Sequence, residues 1–234
     1  FEFVFSCYTL DLPERLESLS QAGFSKHERE AIADSLRKLT NRIVHSKDGL
    51  WQADEAKIDT LTARREELLG ASSEPIERIY WLLEDAKRYG TLPFAGLARA
   101  GFVAVQMLKS LVAVGVFSQV DYDAFIGSVS TVSGQLARDR SMLDKATFLA
   151  RYGHLRPGTY DILSSRYDEA PELYFDWSQR SSALEPIKPF ALTLPQMRDM
   201  AKLLEAHGLQ PDPVGLLDFM QAGIELRELA KFHF

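Results

Sequence analysis

The sequence predicts an all-α fold, a multi-helical array, on three observations. Capping-box arrangements stand ahead of apolar runs, most plainly at Ser25-Lys-His-Glu28. Apolar residues return at three-to-four spacing, as at Ile32, Leu36, Leu39 and Ile43, which lays one stripe along a helix. Strand-like alternation is confined to Phe1-Glu-Phe-Val-Phe5, a minor extended segment at the N-terminus, with a weaker signal at Phe190-Ala-Leu-Thr193.

Taken in order, Asp11-Leu-Pro-Glu14 supplies a capping side chain, a proline in the first turn and an acid, so a short helix begins there and ends before Gly23. Ser25 opens the second helix, which runs to about Val44, and His45-Ser-Lys-Asp-Gly49 is a turn. From Asp54 to Leu69, Ile58, Leu61 and Leu68 alternate with Lys57, Arg64, Arg65, Glu66 and Glu67, the pattern of a solvated helix ending at Gly70. Ser73 and Pro75 start a helix with Ile76, Ile79, Leu82 and Leu83 directed inward and a stop at Tyr89-Gly90. Thr91 then caps a helix from Pro93 towards Val114, whose small residues Ala95, Gly96, Ala98, Ala100, Gly101 and Ala104 allow close helix approach and a central position.

Ser118 and Asp121 open a helix through Phe125, Ile126, Val129, Val132 and Leu136, and Ser141 to Tyr152 forms the next. Gly153 ends that helix in a left-handed conformation, and a long ordered loop follows. Ser178 to Lys188 is a connector, so a subdomain boundary falls near residues 178–190 of an otherwise single domain, 1–234. Thr193-Leu-Pro-Gln196 starts a helix ending at His207-Gly208, and Asp212-Pro213 starts the last. The strand-like start without methionine, and a last helix without a stop signal, give the expectation of a domain excised from a longer chain.

The 234 residues are 46% hydrophobic and 26% charged, a globular composition. A net charge of −6, with cations and anions interleaved, supplies no basic field for a phosphate backbone, so no nucleic-acid partner is expected. The single cysteine, Cys7, excludes an internal disulfide and fits a reducing compartment; the expected location is the cytoplasm. The most membrane-like segment, Leu92 to Phe117, is interrupted by Arg99 and Lys109 and reads as a buried helix, so no membrane partner is expected.

Candidate chemistry concentrates in the loop from Gly153 to Glu169, which holds His154, Arg156, Asp161, Arg166, Asp168 and Glu169 among Tyr152, Tyr160, Ile162, Leu163 and Tyr167. Imidazole titrates near neutral pH and guanidinium offers a planar fork for carboxylate or phosphate, so His154, Arg156, Asp161 and Arg166 are the candidate substrate-binding residues. The same residue types serve a second reading, in which Arg156 and Arg166 pair with Asp161, Asp168 or Glu169 to pin the loop. No catalytic residue and no metal ligand set is assigned. The five histidines are scattered, Cys7 is isolated, and neither a phosphate-binding glycine loop nor a Gly-x-Ser-x-Gly elbow occurs. Among the carboxylate pairs, Glu84-Asp85, Asp121 with Asp123, and Asp168-Glu169, the middle one suits helix capping.

The run Phe148-Leu-Ala-Arg-Tyr-Gly-His-Leu-Arg-Pro-Gly-Thr-Tyr-Asp-Ile162, followed by Ser165-Arg-Tyr-Asp-Glu169, resembles the central region of phosphoenolpyruvate synthase-like, PEP-utilising enzymes. Leu82-Leu-Glu-Asp-Ala-Lys-Arg-Tyr-Gly-Thr-Leu-Pro-Phe-Ala-Gly-Leu-Ala-Arg-Ala-Gly101 extends the resemblance, which covers Leu82 to Trp177. It implies a parent phosphotransferase in which an ATP-grasp region and a swivelling phosphohistidine domain flank a helical segment, with this chain as that segment. ATP and magnesium then belong to the parent, and none of its cofactors to this chain. Rifampicin phosphotransferases share the organisation and typically show Gly-His-Arg-Gly-Pro-Gly-Glu, from which Gly153-His-Leu-Arg-Pro-Gly-Thr159 departs at three positions, so antibiotic phosphorylation does not carry over. His154 has no counterpart role to the phosphorylated histidine, which belongs to the swivelling domain.

Two functions follow as expectations. One is a substrate-binding or linker domain, inactive alone, that positions an unknown small-molecule acceptor between the ATP-grasp and phosphohistidine domains. The other is a noncatalytic helical protein-interaction module whose motif only fixes a loop.

Overall fold

The structure, a computed structural model, describes residues 5–157, 161, 163–178 and 187–233. Among these the chain is all-α: ten α-helices joined by short 3₁₀ and π segments, with no strand. Most of the extended start, Phe1 to Val4, lies outside the described residues, as does most of the connector from Ser178. Residues 190–193 form no ladder. The chain divides into two compact units, one built from residues 5–129 and 188–233, the other from residues 130–178 with Ile187.

In the larger unit, α1 (Leu12–Glu17) tightens into a 3₁₀ turn that ends at Gly23, whose φ of 89° is the left-handed value a side chain disfavours. Asp11 makes no capping hydrogen bond, contrary to expectation. The capping box does form at α2 (Lys26–Val44): Glu28 N–H donates to Ser25 Oγ at 3.3 Å, and Ser25 N–H donates to Glu28 Oε2 at 2.8 Å. α3 spans Leu50–Gly70 and so begins four residues ahead of the predicted Asp54.

The largest departure follows α3. Helix α4 (Pro75–Asp85) does not stop at Tyr89-Gly90 but passes through a π turn, Ala86–Thr91, into α5 (Leu92–Ala113). Thr91 is helical, with φ −60° and ψ −45°, and caps nothing; nor does Ser73, since the N-cap position is Glu74. Pro93 explains the local geometry. It has no N–H to donate and its ring presses on the preceding turn, so an α ladder cannot run straight through it. The widened turn absorbs the defect, and Leu92 N–H donates back to the Lys87 carbonyl just before the proline. The resulting Pro75–Ala113 helix has 39 residues and is long and apolar enough to cross a membrane by those criteria alone, with 44% of its apolar window buried inside the protein.

α5 is the axis of this unit. Leu97, Ala100, Ala104, Met107, Leu108 and Leu111 are fully buried, mainly against α10 (Pro213–His233) and α3. Each such leucine contributes about 2 kcal/mol through apolar burial. The approach of α5 to α10 depends on two glycines: a Cβ on Gly101 would meet the Gly223 carbonyl oxygen at 2.9 Å, and one on Gly223 the Ala100 oxygen at 3.0 Å. α9 (Leu194–Ala206), boxed by Thr193 and Gln196, ends at Gly208 with φ 65°. Phe190 packs its ring on Phe117 and Phe125, both at 5.5 Å between centroids.

The predicted helix from Ser118 to Leu136 is two helices. α6 (Gln119–Ser128) closes at Val129, which leaves helical geometry at ψ 128°. Thr131 then caps α7 (Val132–Met142), accepting from Gly134 N–H at 3.1 Å. The predicted Ser141–Tyr152 helix likewise starts later, as α8 (Lys145–Tyr152), because Asp144 accepts from Thr147 N–H at 3.0 Å and fixes the start. α7 and α8 belong to the smaller unit, whose core is aromatic: Phe148, fully buried, has Tyr152, Phe175 and Trp177 at 5.0, 5.1 and 5.7 Å.

Candidate functional site

α8 delivers the charged loop, and Gly153 sits at its end with φ −58°, right-handed rather than left-handed as expected. Space is what requires glycine there. A Cβ would lie 2.8 Å from Asp168 Cβ, and Asp168 N–H donates to the Gly153 carbonyl at 3.0 Å. A second rung, Tyr167 N–H to the Leu155 carbonyl at 3.0 Å, laces residues 153–155 to residues 167–168. The two ends of the loop are therefore held by backbone as well as by side chains.

Of the candidate residues, the structure brings Arg156 and Arg166 together on Glu169. Arg156 Nη1 donates to the Ser164 carbonyl and lies 4.0 Å from Glu169 Oε2. Arg166 forms a fork on Asp168, Nε to Oδ1 at 2.8 Å and Nη2 to Oδ2 at 2.7 Å, and its N–H donates to Glu169 Oε2 at 2.8 Å. This fork holds the Asp168 carboxyl below its usual range and raises the Arg166 guanidinium. Asp161 is exposed and turns Oδ1 onto Leu163 N–H at 2.9 Å. His154 is exposed. Gly158, Thr159, Tyr160 and Ile162 lie outside the described residues.

Sequence reasoning missed the polar centre beneath this loop. Asp139, on α7, is buried and its Oδ2 accepts from Tyr152 Oη at 2.8 Å and from Arg151 Nη1 at 2.9 Å. Burial first, and the bond to Asp139 second, push the Tyr152 phenol up to about 12. Trp177 lies nearby in the same unit, with the Arg140 guanidinium 4.1 Å from its ring centroid and Lys145 Nζ at 5.6 Å. Arg151-Tyr152 stood next to the motif in sequence, but its partner is on another helix, and spacing alone gives no sign of that.

The other carboxylate pairs are engaged separately. Asp121 caps α6, and the Ser118 hydroxyl and N–H lower its carboxyl; Asp123 accepts from Gln119 Nε2 at 3.0 Å. Glu84 is held by Lys87 at 2.7 Å and Arg88 at 3.3 Å. Asp85 is buried at the start of the π turn, with Oδ1 on Arg64 Nε at 2.8 Å and Oδ2 without a hydrogen-bond partner.

Comparison with protein-family models, with curated proteins and with solved structures finds no match to this chain.

Proposed function

We propose that this chain is a noncatalytic helical interaction module, set by its resemblance in a phosphotransferase-like parent as the brace between an ATP-grasp and a phosphohistidine domain. The observation that carries the reading is the internal engagement of the motif: Arg166 forks on Asp168 while Arg156 reaches Ser164 and Glu169 within the same loop. A guanidinium already spent on a carboxylate and a carbonyl has to give up those bonds before it can grip an acceptor phosphate or carboxylate, and that exchange costs affinity. The apolar residues left on the surface of α4 supply contact area of the kind partner proteins use.

Substitution Arg156→Ala separates this reading from acceptor binding. The expected result is a lower melting temperature, with calorimetric binding of phosphoenolpyruvate and inorganic phosphate no weaker than in the wild type. Wild-type binding of either probe that disappears in Arg156→Ala at unchanged melting overturns the module reading and installs Arg156 as an acceptor ligand. Arg156→Lys serves as the milder variant if the alanine form does not fold.

A further inference from the structure

Helix α4 was expected to turn Ile76, Ile79, Leu82 and Leu83 inward, yet Ile76, Ile79 and Leu83 are 76%, 53% and 58% exposed. Asp85 is instead the buried member of the helix. In an unbroken α-helix, residues five turns apart, about 18 positions, share one row. On that register Ile79, Leu82 and Leu83 fall in line with Leu97, Ala100 and Gly101 of α5, all buried. Glu74, Glu77 and Glu84 fall in line with Leu92, Ala95 and Phe102, all exposed. An uninterrupted helix would therefore seat α4 as its amphipathic pattern asks, apolar side to the core and acids to water.

The π turn overrides that register. Its one added residue turns α4 by about 100° about the helix axis, so Leu83 takes the row of Phe102 and Asp85 that of Ala104, which is fully buried. The orientation is costly twice over. An apolar row stays in water, and Asp85 is buried with Oδ1 on Arg64 Nε at 2.8 Å while Oδ2 has no hydrogen-bond partner among the described residues. Three contacts hold it: the Arg64 bond to Asp85, the Arg64 guanidinium 5.6 Å from the Tyr89 ring centroid, and Pro93, which obstructs an α ladder at the junction.

We propose that the turn at Ala86–Thr91 is a rotary switch that gives α4 two seats. In the seat observed the π turn is formed, Asp85 is held by Arg64 and the apolar row faces outward. In the other the turn relaxes to α geometry, and α4 rotates back by about 100° and shifts by about 1.5 Å along its axis. Ile79 and Leu83 then come round to the α3 side and Asp85 leaves Arg64. Packed helices hold discrete arrangements of this kind rather than a continuum. The apolar row is thus presented in one seat and withdrawn in the other. This goes beyond the interaction-module reading and does not need it, since the rotation is a property of α4 whatever meets its face.

Thiol labelling of the intact chain, read by mass spectrometry, tests the proposal through Leu83→Cys and Glu84→Cys, with the buried native Cys7 as an unmoved background. Glu84 is 20% exposed at its side chain in the seat observed and comes into the row of Phe102 in the other. Pro93→Ala removes the obstruction to an α ladder, and Arg64→Ala strands the Asp85 carboxylate; each is expected to abolish labelling at Leu83→Cys and to raise it at Glu84→Cys. Deleting Gly90 takes away the added residue and leaves α4 in the observed orientation under a regular helix, so in that background neither substitution moves the labelling. Unchanged labelling at Leu83→Cys in both variants, a rise at both cysteines together, or a shift that survives deletion of Gly90 overturns the switch. Arg64→Ala carries the test if Pro93→Ala does not fold. None of these outcomes depends on Arg156, so the module reading stands or falls separately.

Discussion

Tyr152 places a phenol in an almost sealed site with a carboxylate as its acceptor, and both circumstances keep its proton in place. In the unfolded chain a tyrosine titrates near 10; in the fold it does so at about 12. The stabilisation is therefore complete below pH ~10 and is lost as the pH rises through about 12. Alkaline unfolding followed by tyrosinate absorbance is expected to release Tyr152 together with loss of the smaller unit's structure, in that window and not before it. Asp139 is the more costly group to remove. Asp139→Ala strands a buried hydroxyl and costs about 2 kcal/mol, whereas Tyr152→Phe leaves Arg151 on the carboxylate and costs about 1 kcal/mol. Urea denaturation giving the reverse order would refute Asp139 as the costlier group to remove. The capping side chains Ser25, Ser118 and Thr193 were legible because a capping box is complete within four consecutive residues. Asp139 was not, because its two partners lie across a helix boundary.

At the scale of the element, glycine separates what sequence shows from what packing decides. Gly101 and Gly127 both sit within helices, where glycine is less favourable than alanine by propensity alone. Around Gly127 nothing lies within 4 Å of an added Cβ, whereas at Gly101 the Gly223 carbonyl oxygen is 2.9 Å away. Gly127→Ala is therefore expected to stabilise by roughly 0.5–1 kcal/mol, through lost freedom of the unfolded chain. Gly101→Ala is expected to destabilise by about 2 kcal/mol, because α5 and α10 must separate to admit the methyl group. Equal effects in thermal melts would refute close packing as the role of Gly101. The small-residue run of α5 had pointed to such an approach, and α10 supplies it through Gly223. The junction of α4 and α5 was misread for a physical reason: Tyr89-Gly90-Thr91 carries the letters of a stop, while a π turn needs only a hydrogen-bond register that no single residue type announces. Amphipathicity likewise tells that α4 has an apolar side, without telling whether that side meets its own fold or a partner.

For the whole molecule, the all-α class follows from repeated local signals, and local signals survive the loss of tertiary context. The boundary after Val129 does not. The chain leaves the larger unit after Val129 and returns to it at Lys188, so one boundary lies between two capped helices, where Ser130-Thr131 looks like any other cap. Each unit nevertheless closes a core from its own residues: α5 with α10 and α3 in one, and the ring cluster of Phe148, Tyr152, Phe175 and Trp177 in the other. Cores that share no side chains melt as separate cooperative units. Scanning calorimetry of the intact chain is thus expected to resolve two transitions. Asp139→Ala should lower only the one that carries the near-ultraviolet signal of Trp177, and Gly101→Ala only the other. A single transition shifted by both substitutions would mean that the two cores unfold as one, and the smaller unit would then have to be regarded as an outgrowth of the larger.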